Sequence, residues 1–188
     1  MSNKIIKILK EGGIGVLATD TIYGLVGSAL NERTVKIIYK LRKRNLKKPM
    51  IILLSSFNDL RLFNIKIDSH LKRTLSKIWP GKVSVILSCP YKKFEYLHRG
   101  TKNLAFRVPK NKNLTNLLEK TGPLVAPSAN FEGMPPAKSI KEAKNYFDKN
   151  IDFYLNKGII ESLPSTLIQI KNKKIVILRE GTEKIKGR

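Results

Sequence analysis

The segment STLIQIKNKKIVILR, Ser165 to Arg179, decides the architecture. Two runs rich in Ile, Leu and Val, STLIQI and KIVILR, flank the polar KNKK. Runs of this kind, separated by a few polar residues, read as the two strands of a hairpin. Upstream, strand-like and helix-like segments alternate, which argues an α/β domain. A closing hairpin added to that alternation argues a mixed sheet rather than a purely parallel one.

The strand-like segments are IGVLATD (14–20), MIILLS (50–55), VSVILS (83–88), LAFRVP (104–109) and PLVAPS (123–128). MIILLS is apolar throughout, so it reads as a strand covered on both faces. Between them lie helical patterns. NKIIKILK repeats apolar residues at Ile5, Ile6 and Leu9 and meets a C-terminal signal at Gly12-Gly13. Asn31 is placed to cap a helix with Val35, Ile37, Ile38 and Leu41 inward, ending near Arg44 before the Asn45–Pro49 linker. Leu71, Leu75, Ile78 and Trp79 mark another helix face, halted by Pro80-Gly81. Leu114, Leu117 and Leu118 mark a third, and SIKEAKNYF (139–147) a fourth. No internal repeat, low-complexity block or long linker divides residues 1–188, which read as a single domain.

The chain carries 37 Lys and Arg against 14 Asp and Glu, a net charge of +23, and an isoelectric point near 10.2. Such an excess favours polyanionic partners, although heavy use of Lys, Ile and Asn throughout also fits compositional drift. One cysteine, Cys89, excludes an internal disulfide and suits a reducing compartment. With two histidines far apart, His70 and His98, no zinc-type cluster of soft ligands assembles. No apolar run approaches the roughly 20 residues that span a bilayer. The N-terminal apolar stretch is too short for a signal peptide, so the expected location is cytoplasmic, with no membrane partner.

Polar residues interrupt the apolar pattern at a few strand ends. ATDTIYGL puts Thr19, Asp20, Thr21 and Tyr23 after the first strand, as a ligand site or as an ordinary capped turn. Arg107 stands inside an otherwise apolar strand and needs an anionic partner, either a ligand carboxylate or phosphate or a structural carboxylate. VAPSANFEGMPP (125–136) is a rigid loop offering Ser128 and Asn130, yet it is neither a Walker loop nor a nucleophile elbow. LRKRNLKKPMIILL (41–54) places Arg42, Lys43, Arg44, Lys47 and Lys48 directly before an apolar strand. That run reads as a helix terminus, a basic patch or the wall of an anion pocket.

Together, ATDTIYGL, the basic run ending in KP, WPGKVSVIL, LAFRVP, VAPSAN, PSTL and ILREG resemble the YrdC/Sua5 family in order and spacing, from about Ile5 to Gly181. The length resembles the short, single-domain form. The resemblance implies an α/β fold with an open, twisted, mixed β-sheet, flanking helices and a positively charged concave cleft. It implies a threonylcarbamoyl-AMP synthase, a nucleotidyltransferase. That activity joins L-threonine, bicarbonate and ATP into threonylcarbamoyladenylate and pyrophosphate, the first step of tRNA N6-threonylcarbamoyladenosine formation. Magnesium is implied on the ATP, with no protein metal site. The product would pass to a threonylcarbamoyl-transferase complex, and tRNA or double-stranded RNA is a further partner to test.

Residue by residue, the resemblance places Thr21, Leu53, Arg107 and Ser165 on threonine. It places Arg44, Lys48, Asn103, Ser128, Pro136 and Arg179 on ATP. Arg42, Arg44, Ser128 and Asn130 fall on the family's KxR and SxN motifs, which carry catalysis. The sequence departs from the pattern at Arg42, which stands where the family has Lys, at Asn45, where it has Pro, and at Leu53, where it often has His. Lys82 likewise replaces the proline of WPGP. Lys43 and Lys47 are expected to be solvated charge. Two alternatives stay open: an RNA-binding or ribosome-assembly module of the same fold without synthesis, and a carbamoyl-transfer domain like those of hydrogenase maturation factors.

Overall fold

The computed structural model of the chain describes residues 2–45, 48–171 and 174–185. Helix α1 (Asn3–Lys10) leads into strands β1 (Gly15–Ala18) and β2 (Tyr23–Ser28), then helix α2 (Glu32–Leu41) and β3 (Ile51–Leu53). A 3-10 segment over Phe57–Phe63 precedes α3 (Ser69–Ile78), β4 (Val83–Ser88), the single-turn α4 (Glu95–His98) and β5 (Asn103–Arg107). The chain continues through α5 (Lys112–Thr121), β6 (Leu124–Val125), α6 (Ile140–Phe147), β7 (Phe153–Leu155), β8 (Thr166–Lys171) and β9 (Lys174–Arg179).

Among the described residues nine strands form one sheet, in the order β7-β1-β2-β6-β3-β5-β4-β8-β9. It is mixed. β1/β7, β3/β5 and β4/β8 run parallel, and the remaining neighbours run antiparallel. The closing hairpin is present, with Lys171 opposite Lys174. Residues 172 and 173 of its expected KNKK turn, and Lys47 of the basic run, lie outside the described residues.

Two strands escape the pattern reading. ATDTIYGL is not a strand end followed by a loop. It is a hairpin whose four-residue connection, Thr19 to Ile22, joins β1 to β2 with Ala18 opposite Tyr23. β7 is a three-residue edge strand. Helix α2 begins as expected, with the Asn31 side chain accepting from the Thr34 N–H at 3.1 Å. It ends at Leu41 rather than near Arg44. Val35 and Ile38 are fully buried, whereas Ile37 is 37% exposed and faces outward. One residue on a helix is a 100° turn, so Ile37 and Ile38 cannot share a face.

The two sheet faces are covered unequally. Residues paired in register project from the same face, as do alternate residues of one strand. Leu124, Leu53 and Arg107 form one such row across β6, β3 and β5. Ile51, Ala105, Ile86 and Gln169 form the next, across β3, β5, β4 and β8. Leu53 and Leu124 join Leu17 and Val26 beneath Leu9 of α1 and Leu114, Leu117 and Leu118 of α5. Each such leucine contributes roughly 1.5–3 kcal/mol by leaving water, enough to hold two short helices there. The opposite face carries the larger core, including Ile52, Val85, Phe106 and Ile168, with residues of α2, α3 and α6 packed on it. The Ile51 row instead lies on the wall of a cavity. Among the described residues no helix is long and apolar enough to cross a membrane.

Candidate active site

A cavity of about 520 Å³ opens over the Ile51–Ala105–Ile86–Gln169 row. Its volume lies within the range of small-molecule sites. Apolar sheet residues line one part, and polar groups from five separated segments line the rest. Thr19 and Thr21 come from the β1–β2 connection, and Arg42, Arg44 and Lys48 from the stretch after α2. Asn103 and Arg107 come from β5, Ser128 from the loop after β6, and Ser165 and Arg179 from the closing hairpin.

At one end the Thr19 hydroxyl donates to the Ile22 carbonyl at 2.7 Å and lies 3.1 Å from the Thr21 hydroxyl. The turn is thus locally capped, as its alternative reading expects, yet both threonines line the cavity. Arg107 Nη1 donates to Thr21 Oγ1 at 3.1 Å. Arg107 Nη2 lies 3.1 Å from Asp20 Oδ1, both side chains being almost wholly buried. Arg107 therefore has the structural carboxylate partner that its strand position demanded, and it still lines the cavity. Beside it, buried Ser84 and Ser165 share a hydrogen bond of 2.9 Å. Arg179 Nη2 donates to the Ser165 carbonyl at 2.8 Å.

At the other end Arg42 is only 2% exposed. Its Nε donates to the Asn130 carbonyl, and its Nη2 donates to Ser128 Oγ and Asn130 Oδ1, all at 3.0–3.1 Å. Arg42 thus clamps the loop after β6, while its Nη1 has no hydrogen-bond partner among the described residues. Arg44 folds onto its own loop, donating to the carbonyls of Lys48 and Pro49. Glu132 ties the two loops together. It accepts from the Asn45 N–H and, at 2.8 Å, from Lys48 Nζ, and its own N–H donates to the Arg42 carbonyl. Lys43 is exposed, its ammonium 4.4 Å from the centre of the Phe131 ring.

The guanidinium groups act on one another. Burial pushes the Arg42 pKa down to about 10, and the charge of Arg44 adds to the effect. At Arg107 burial lowers the pKa, Asp20 opposes the shift and Arg179 reinforces it. At Arg179 desolvation and the charge of Arg44 act in the same downward direction. A site whose cations destabilise each other's charge gains free energy when an anion enters.

Of the twelve residues singled out from the sequence, nine line this one cavity: Thr21, Arg42, Arg44, Lys48, Asn103, Arg107, Ser128, Ser165 and Arg179. Three do not. Leu53 is fully buried in the leucine cluster under α1 and α5, because its end of β3 is the covered end. Asn130 turns inward, donating to the carbonyls of Phe131 and Met134 and accepting from Arg42, so it holds its loop instead of facing the cavity. Pro136 is solvent-exposed at the far end of that loop. Ser84, Asp20 and Glu132 also support the site, through Ser165, Arg107 and Lys48. Asp20 and Glu132 become conspicuous only beside Arg107 and Lys48, which lie 87 and 84 positions away in the chain.

The sequence profile of the Sua5/yciO/yrdC family, described as "Telomere recombination", matches residues 7–181. A protein of Pyrococcus abyssi named threonylcarbamoyl-AMP synthase is 29% identical over 92% of this chain and 52% of its own length. A crystal structure of P. abyssi Sua5 complexed with L-threonine superposes with a TM-score of 0.86 at 28% identity, covering 95% of this chain and 53% of the other. Escherichia coli YciO superposes with a TM-score of 0.85 at 24% identity, covering 98% of this chain and 90% of the other. The chain therefore spans about half the length of the P. abyssi relatives and most of that of YciO, with which it shares the fold.

Proposed function

We propose, from the premise that the chain belongs to the Sua5/yciO/yrdC family, that it is a threonylcarbamoyl-AMP synthase. In this reading the threonine amine and bicarbonate first condense to a carbamate, with loss of water. A carbamate oxygen then attacks the α-phosphorus of ATP, the bond to the β-phosphate oxygen breaks, and pyrophosphate leaves. The coarse class is transferase. The finer assignment, nucleotidyl transfer from ATP, belongs to the proposal.

The observation that carries it is the convergence of nine residues, spread from Thr21 to Arg179, on a single cavity rich in guanidinium groups. Arg107, Thr21 and Ser165 sit together and suit the threonine end, the Arg107 fork matching a carboxylate. Arg44, Lys48, Asn103 and Ser128 suit the nucleotide, and Arg179, bonded to Ser165, stands between. Cations there stabilise charge building on the departing phosphates, and a partly enclosed site positions an unstable carbamate. No nucleophilic side chain is required. Asn130 contributes by holding the loop that presents Ser128, and Leu53 supports the sheet beneath. Magnesium arrives on the triphosphate as part of the substrate, held by phosphate oxygens and water. The adenylate is then the substrate of a transferase acting on tRNA.

The test is to incubate the purified chain with ATP, threonine, bicarbonate and magnesium. Pyrophosphate release that requires threonine is expected. Release that is absent, or that ignores threonine, overturns the reading.

A further inference from the structure

Asp20 lies between two cavity-lining threonines but does not itself line the cavity. Its side chain is 6% exposed, that of Arg107 is 4%, and Oδ1 stands 3.1 Å from Arg107 Nη2. Neither carboxylate oxygen has a hydrogen-bond donor among the described residues, so Asp20 is held in the interior by the charge of Arg107 alone. Burying a carboxylate costs several kcal/mol, and that cost is offset only by a well-placed countercharge. Replacing both partners of such a pair by apolar groups of similar volume is often neutral for stability, so packing alone does not demand the pair. Asp20 and Thr21 approach the two terminal nitrogens of one guanidinium from adjacent positions of the same tight connection. A hydrogen bond at one terminal nitrogen and an ion contact at the other together restrict how a planar fork can turn.

From this arrangement we infer that Asp20 is a positioning residue, which fixes the plane of the Arg107 guanidinium so that its remaining N–H groups meet the carboxylate of the amino-acid substrate. The inference rests on the reading above, in which Arg107 binds that carboxylate. Asp20 acts through Arg107 and touches no reacting atom. It also keeps Arg107 charged against burial and the field of Arg179.

The experiment measures threonine-dependent pyrophosphate release, varying threonine and ATP separately, for the wild type, Asp20→Asn, Arg107→Lys and the double variant. Arg107→Lys keeps a charge beside Asp20 but loses the fork. Its threonine KM is expected to rise about tenfold or more at an ATP KM within about twofold of wild type. Asp20→Asn is expected to show the same split, and the double variant less than the product of the two. If the wild type releases no pyrophosphate, or Arg107→Lys leaves the threonine KM alone, the parent reading fails. If Arg107→Lys behaves as stated while Asp20→Asn matches wild type, raises both KM values alike, or multiplies with Arg107→Lys, the role of Asp20 is overturned. Should Asp20→Asn not fold, Asp20→Glu, which keeps the charge and shifts it by one methylene, carries the same test. Loss of folding in both variants overturns the role as well, because Asp20 is then needed for the fold first.

Discussion

Arg44 and Arg107 both line the cavity, yet their removal has different physical consequences. The Arg44 guanidinium donates to the carbonyls of Lys48 and Pro49, which line the cavity with it. Those acceptors can turn to water, so Arg44→Ala is expected to shift the melting temperature by no more than a few degrees. If Arg44 holds phosphate as proposed, kcat/KM for ATP is expected to fall about 100-fold or more. A steady-state assay beside a thermal melt checks both. Arg107→Ala is another matter, because it strands the Asp20 carboxylate in the interior. Breaking a buried pair on one side costs about 3–5 kcal/mol, whereas replacing both partners with apolar groups is often neutral. Urea unfolding is expected to show that loss for Arg107→Ala and recovery of most of it for Arg107→Met combined with Asp20→Leu, with activity absent in both. Equal stability in the two variants would sink this account. Arg107 itself was legible in the sequence, since a charge in an apolar strand demands a partner. Which of the 14 acidic residues supplies that partner was not, because strand pairing and turn geometry choose it.

At the scale of elements, the same contrast separates what pattern reveals from what packing imposes. The helices announce themselves through caps and 3.6-residue periodicity, and Asn31 is the clearest case. Asn31→Ala is expected to remove about 1 kcal/mol, the ordinary worth of a cap, and to leave both KM values unchanged. A chemical-unfolding curve with activity measured in parallel decides it. Strand β2 hid because YGLVGS carries two glycines, which lower strand propensity. The second is required by packing. A Cβ on Gly27 would stand 2.5 Å from Thr34 Cγ2 and 3.0 Å from Ile38 Cδ1, so α2 lies on β2 only if position 27 has no side chain. The three site residues that miss the cavity fail for similar reasons. Leu53 and Ile51 share a sheet face, but the cluster with the leucines of α1 and α5 buries Leu53 fully and Ile51 only in part, leaving Ile51 on the cavity wall. Asn130 lies in a motif whose spacing is legible, while the inward turn of its amide depends on the buried Arg42 fork. Spacing reports which residues gather, and coverage by distant helices decides which of them stay open.

For the whole molecule the net charge of +23 sets two expectations that separate cleanly. Diffuse like charge destabilises a compact chain, and any salt screens it over a Debye length of about 10 Å at 0.1 M. Sodium chloride should therefore raise the melting temperature gradually and without saturation at low concentration. The cavity adds a specific component, because Arg42, Arg107 and Arg179 each have their charged form disfavoured by burial and a neighbouring guanidinium. Pyrophosphate is the leaving group of the proposed reaction, and it relieves that repulsion only by occupying the site. A ligand bound to the native state alone stabilises by about 2.7 kcal/mol at 100 times its Kd. In a domain of this size each kcal/mol shifts the midpoint by roughly 2–4 °C. Pyrophosphate is thus expected to raise the melting temperature by about 5–10 °C beyond chloride of matched ionic strength, along a saturating curve. Arg44→Ala and Arg179→Ala should each remove most of that excess while keeping the chloride response, since neither changes the diffuse charge by more than one unit. If the two salts coincide at equal ionic strength, the cations around the cavity are part of a general basic surface and not a built anion site. If the excess persists in both variants, the anion binds elsewhere on the molecule.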